Sequence, residues 1–318
     1  MVRSGYRLFG LFAAASVCFG GTFVAAKVGL ADLPPLLFVA LRFDVGAVLL
    51  AVYVAATYPR ERWLPHTRGD VAGVLAAGVF AIGLTNAFVF IGQQHVTSGV
   101  ASVLYSLNPI LTPAFAAGLL ADEALSRGDA VGVALGFVGV ALVVGVDPAT
   151  LLGGGLAGKV AVVAAAGSGA FGGVLVRRAD SPMPNAVRTA WAVPAAALLC
   201  HLASVGAGEE PSAAAWTLPA LAALGFVGVC STAVAFVAYF GLLDEVGPIR
   251  ANLVFYAVPA VATLGGWALL GETVSPSTLA GFAVIAAGFA VVVREPLAAE
   301  LSRLRSVVGR EAEWVRSH

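Results

Sequence analysis

Polar side chains that recur at helical spacing inside apolar runs can hold a passing solute, because hydrogen-bonding groups in hydrocarbon need partners. Ser98, Ser102, Tyr105, Ser106, Pro109 and Thr112 fall at i, i+4, i+7, i+8, i+11 and i+14, one face of a helix. About 150 residues later Asn252, Tyr256, Pro259 and Thr263 repeat that face at i, i+4, i+7 and i+11. Asn108 precedes Pro109, while Thr85, Asn86 and Gln93, then Ser231, Thr232 and Tyr239, add polar groups to two more apolar runs. Ser102, Tyr105, Ser106, Asn108, Asn86, Tyr239, Asn252 and Tyr256 are therefore the candidates for a substrate pathway, by hydrogen bonding and ring contact. The same faces also suit helix–helix packing through small residues and interhelical hydrogen bonds. Pro109 and Pro259 remove backbone hydrogen bonds in mid-helix, which bends a helix or frees a carbonyl toward a cavity.

Charged groups inside apolar runs are the second set: Lys27, Arg42, Asp44 and Arg250. Arg42 lies seven residues past Pro35, roughly 10 Å along a helix. Arg42 and Asp44, two residues apart, point in different directions and need different partners. Asp44 fits either a proton-carrying carboxylate or a structural ion pair. Lys27 either lines the pathway or snorkels from its helix end to the interface. Arg250, like Arg188, opens a helix on the cytoplasmic side, which fits either the positive-inside bias or a functional role.

Catalysis finds little support. The four histidines do not cluster, and Cys18, Cys200 and Cys230 stand singly in apolar stretches, so no metal site, cofactor or disulfide framework is expected. Gly153-x4-Gly158-Lys159 imitates a phosphate loop, but Val160 stands where a magnesium-binding hydroxyl is needed; a flexible loop is expected there. Nucleic acid is not an expected partner.

The elements that must position these groups follow from composition. The chain is 59% hydrophobic and 11% charged, too apolar to cover itself in water. Ten runs suit membrane-crossing helices: 7–29, 35–57, 70–92, 98–121, 128–146, 158–177, 184–206, 217–243, 248–271 and 277–294. With the N-terminus inside, thirteen arginines fall in cytoplasmic segments, so both termini are expected in the cytoplasm. Ser98–Gly139 and Pro248–Gly288 are copies, including Leu119-Leu120, Glu123 against Leu269-Leu270, Glu272. Their offset divides the ten runs into two sets of five, an odd number, so the second set is expected to be inverted. The expected organisation is a first five-helix repeat at 1–146, a linker at 147–157, a second repeat at 158–294 and a cytoplasmic tail at 295–318. Glu123 and Glu272 end their helices and suit pairing with a loop arginine or amide. Glycines 132, 136, 139, 281 and 288 suit close helix packing, within one chain or between two copies in a homodimer.

The segments Phe19-Gly-Gly-Thr-Phe-Val-Ala-Ala-Lys27, Pro34-Pro35 through Leu41-Arg42-Phe43, Asn108-Pro109 to Gly132 and Val258-Pro259 to Gly281 together resemble an EamA-type member of the drug/metabolite transporter superfamily. The resemblance implies an all-α membrane protein of ten helices, two inverted five-helix repeats and a central cavity. It implies cargo such as amino acids, nucleotide-linked sugars or other small metabolites, often moved outward. Phe19 departs from it, standing where the family usually has Trp. The expectation is a multi-pass protein of the cell membrane, a secondary transporter or facilitator exporting amino acids or related metabolites by alternating access. A carrier of anionic phosphorylated or nucleotide-linked metabolites is one alternative, with Lys27, Arg42 and Arg250 as clamps. A membrane enzyme or scaffold is the other.

Overall fold

A computed structural model describes residues 2–120, 126–144, 154–251 and 254–291. Among the described residues the chain is helical, with no strand. Its long helices are α1 (Val2–Gly29), α2 (Pro35–Thr57), α3 (Arg68–Gln93), α4 (Ser98–Leu119) and α5 (Arg127–Val144). They continue with α6 (Gly154–Arg178), α7 (Asn185–Gly206), α8 (218–251), α9 (Val254–Leu270) and α10 (Pro276–Val291). Among the described residues seven helices contain spans long and apolar enough to cross a membrane; the apolar helices Ala130–Val143, Ala257–Leu270 and Pro276–Val291 are shorter. Large apolar side chains such as Val52, Leu198, Leu202, Val205 and Leu269 point outward, as suits a chain surrounded by lipid.

Helix starts are set by matched residues. Pro34 and Pro184 stand immediately ahead of α2 and α7, with φ, ψ of −58°, 137° and −56°, 140°. A fixed φ and no N–H suit a residue at that junction. Thr67 and Thr217 cap α3 and α8 by accepting the N–H of Asp70 and Ala220. Both pairs are 150 positions apart.

Packing repeats in the same way. Helix α1 packs on α8 and α9, as α6 packs on α3 and α4; α2 packs on α8, as α7 packs on α3. At the junctions Thr217 donates to Asp32, which lies between α1 and α2, and Ser181, between α6 and α7, donates to Asp70. Facing pairs run antiparallel. Glu209, just past α7, accepts the Leu36 and Leu37 N–H groups (3.1 and 2.8 Å) at the start of α2, where a carboxylate also suits the helix dipole. Gly139 of α5 meets Gly281 of α10, and Gly132 meets Gly288. A Cβ at Gly139 would lie 2.8 Å from the Gly281 carbonyl oxygen, so these glycines let two helices of one chain approach closely.

Two helices contain wide turns with i→i+5 bonding. The π-helical stretch of α3 is Ala76–Leu84 and that of α8 is Phe226–Val234, again 150 positions apart. Thr85 and Thr232 each donate a hydroxyl five residues back, to Phe80 O (2.9 Å) and Val227 O (2.8 Å). Ser168 of α6 also reaches Phe80 O (2.9 Å), so loosened backbone binds the neighbouring helix.

Three expectations are corrected. The boundary expected between the runs 217–243 and 248–271 is displaced: α8 continues through it to Ala251, held by burial of Leu242 and Ala251 with Ala15, Ala238 and Val254. Helix α4 is not one continuous face. It breaks into Ser98–Tyr105 and Asn108–Leu119, because Pro109 has no N–H to continue the ladder and instead opens the second segment. Gly158, Lys159 and Val160 are on α6, which starts at Gly154, rather than in a flexible loop. The expected tail and Glu123 lie outside the described residues.

Candidate substrate site

The polar groups gather near the end of the bundle that holds Gly29, Gln93, Ser98 and Leu270, opposite the N-terminus. Lys27 Nζ donates to the Gln93 and Val96 carbonyls (2.8 and 2.9 Å), closing the C-terminus of α3. Gln93 is fully buried and donates to Phe23 O (2.8 Å), which also accepts from Ser98 Oγ (3.2 Å). Glu272, just beyond α9, accepts the Ser98 N–H through both oxygens (3.0 Å each) and the Ser98 hydroxyl (3.2 Å). Its charge also acts on Lys27. The loop-amide pairing expected for Glu272 is thus present, at the N-terminus of α4 where a carboxylate is favoured.

One layer further in is Arg42. Its residue is 4% exposed, and Nε and Nη1 have no hydrogen-bond partner. The guanidinium lies over Phe43 (4.9 Å to the ring centroid) and Phe90 (5.4 Å), with Tyr105 of α4 and Cys200 of α7 as its titratable neighbours. Tyr105 in turn packs at a tilt on Phe23, 6.1 Å between centroids. Asp44 faces the other way, as the helical geometry requires. It is paired with His201 Nε2 at 2.8 Å on the outer face of α2 and α7, each side chain about half exposed.

The remaining candidates divide. Ser102 and Ser106 are buried, but their hydroxyls donate within α4, to Gly99 O (2.8 Å) and Ser102 O (2.9 Å). Asn86 donates to Ile82 O (2.8 Å) in the wide turn of α3. Asn108 is half-buried, its amide against Gly169 of α6. Tyr239 joins an aromatic cluster with Phe19, Phe236 and Phe255, Phe19 lying 5.6 Å from Phe236 and Phe255 and 6.2 Å from Tyr239. Pro259 is buried inside α9. The side chains of Arg250 and Tyr256, and all of Asn252, lie outside the described residues.

A profile of the EamA-like transporter family matches residues 8–145 and again 152–294. The chain belongs to the EamA-like transporter family. This EamA-family chain is an integral, multi-pass membrane transporter and not an enzyme. It is 29% identical over 290 residues to the inner membrane transporter YedA of Escherichia coli, covering 90% of each chain. Over 284 residues it is 28% identical to a transporter of Archaeoglobus fulgidus, covering 89% of this chain and 97% of that one. Protein PecM of Dickeya dadantii is 27% identical over 285 residues, with 88% and 91% covered. A crystal structure shares the fold with TM-score 0.61 at 22% identity, covering 88% of this chain and 95% of that chain.

Reading the sequence alone misses Phe90 and Phe23 as neighbours of Arg42 and Tyr105, and His201 as partner of Asp44. It also misses the backbone carbonyls that hold Lys27, which no side-chain pattern can signal. Phe19, noticed only as a departure from the family, proves to be the hub of a ring cluster. Its replacement by alanine would remove a packed ring and should cost about 3 kcal/mol. An unchanged unfolding midpoint of Phe19→Ala in detergent would show that the cluster is not packed.

Proposed function

We propose that this transporter is a secondary carrier or facilitator that exports small polar metabolites, with amino acids or related compounds as cargo. It works by alternating access between two inverted five-helix halves of a ten-span bundle. The observation that carries this reading is the exchange symmetry of the contacts: α1 sits on α8 and α9 as α6 sits on α3 and α4, while α2 and α7 meet antiparallel. Two halves related in that way have two alternative ways of leaning on each other, one open to each side. The matched wide turns of α3 and α8 support it, being places where packed helices can shift.

Both termini are cytoplasmic in this reading, supported by the thirteen arginines on that side, and the membrane is the cell membrane, as the name of the inner membrane relative suggests. The phosphate-clamp alternative is less favoured, because the Lys27 ammonium is already used by two carbonyls. Purified protein in liposomes should exchange a labelled amino acid, and Asn252→Ala or Tyr256→Ala should slow that exchange about tenfold if a hydrogen bond to cargo is lost. Absence of flux across a broad panel of amino acids and other small metabolites would overturn the reading.

A further inference from the structure

A guanidinium sealed among apolar groups is costly unless something neutral or negative satisfies it. Arg42 is 4% exposed, and two of its nitrogens lack partners. The rings of Phe43 and Phe90 attract the cation but accept no directed N–H bond at Nε or Nη1. Among the described residues no carboxylate lies within ion-pair distance: Asp44 faces His201, and Glu272 and Glu209 bond to helix-start amides. The group therefore lies buried, with Nε and Nη1 unpartnered, beneath the Lys27–Gln93–Ser98–Glu272 layer. Arg42 is seven residues inside the start of α2 and Tyr105 seven inside the start of α4, so both lie roughly 10 Å from that end.

We propose that Arg42 binds the carboxylate of the transported solute, with Tyr105 and the Phe90 ring as the walls of that subsite. The proposal rests on the carrier reading above and deepens it by naming the group recognised. The charge count selects a carboxylate over a phosphate ester. One guanidinium offers a single positive charge and a planar fork that matches two carboxylate oxygens. A phosphate monoester carries between one and two negative charges at neutral pH. Lys27, the cation in the layer above, is already bonded to two backbone carbonyls.

The test is thermal unfolding of the full chain in detergent against the common L-amino acids, each beside its own carboxamide, with glycerol phosphate as a further probe. At least one free acid should raise the midpoint while its carboxamide does not. Arg42→Gln should abolish that response, or weaken half-saturation at least about tenfold, and Arg42→Lys should keep a weakened one. Without solute, Arg42→Met should unfold no lower than the parent, because removing an unpaired buried charge relieves its desolvation. A purely structural arginine would instead lower the Arg42→Met midpoint. Equal stabilisation by acid and carboxamide, no stabilisation by any acid, or stabilisation by glycerol phosphate alone would each overturn the proposal, and all three are read on the unmutated chain. Liposome exchange separates the two readings. Flux that is undiminished in Arg42→Gln overturns the role of Arg42 and leaves transport standing. Arg42-dependent stabilisation without flux sustains the carboxylate subsite and overturns the carrier.

Discussion

Gly46→Ala should destabilise the protein by about 2–3 kcal/mol, and Gly46→Leu should prevent accumulation of folded protein, because both force atoms into a filled contact. Gly46 is the point where α2 meets the wide turn of α8, and a Cβ there would lie 2.2 Å from Thr232 Cγ2. Thr232 is fully buried and its hydroxyl is tied to Val227 O, so its methyl cannot swing away without breaking that bond. Thr232→Ser removes the methyl and keeps the hydroxyl. The double variant Gly46→Ala/Thr232→Ser should therefore recover at least about half of the loss, a coupling that a double-mutant cycle on detergent unfolding midpoints measures directly. Val48→Ala, two residues away and 65% exposed, should change the midpoint little. If Thr232→Ser gives no rescue, the close approach is not the origin of the cost.

That contact shows what a sequence does and does not display. Helix positions are legible because the apolar runs are punctuated by residues with a physical reason to begin a helix, such as Pro34-Pro35, Thr67, Thr97, Pro184 and Thr217. The offset of 150 also joins Pro34 to Pro184 and Thr67 to Thr217, at helix starts beyond the stretches where residue identity reveals a repeat. The wide turns are different. Ala76–Leu84 and Phe226–Val234 are apolar stretches like their surroundings, and their extra residue per turn is a property of how neighbours pack, not of composition.

The site was legible in part for the same reason. Helical phase separates Arg42 from Asp44, and the structure sends one inward to Phe43 and Phe90 and the other outward to His201. Phase says nothing about whether a hydroxyl will turn to its own helix, as those of Ser102 and Ser106 do. Serine in an apolar helix has the preceding turn's carbonyl always within reach, so a polar stripe overstates what is free to meet a solute. An unpaired buried nitrogen is the more selective signal, and it is visible only once the neighbours are in place.

Glu272→Ala should loosen the layer above Arg42 more than any other single change there. Glu272 accepts the Ser98 N–H through both oxygens and the Ser98 hydroxyl, and bears a charge that acts on Lys27, so it hydrogen-bonds the segment just past α9 to the start of α4. Its loss leaves the Ser98 N–H without its acceptor, a cost of about 2 kcal/mol for a bond to a charged group, which corresponds to about thirtyfold in the balance between closed and open. The effect can be read by placing a cysteine at Ser102, which is 1% exposed and one turn below Ser98, after replacing Cys18, Cys200 and Cys230. In sealed vesicles a membrane-impermeant maleimide should label Ser102→Cys slowly in the parent and about thirtyfold faster with Glu272→Ala, from one side of the membrane only. Lys27→Met should have a smaller effect, since Lys27 bonds to carbonyls at the end of α3 and its removal leaves the bond between Glu272 and Ser98 intact. Equal labelling rates in parent and Glu272→Ala would mean that this end is held shut by helix packing alone, and that the carboxylate only caps α4.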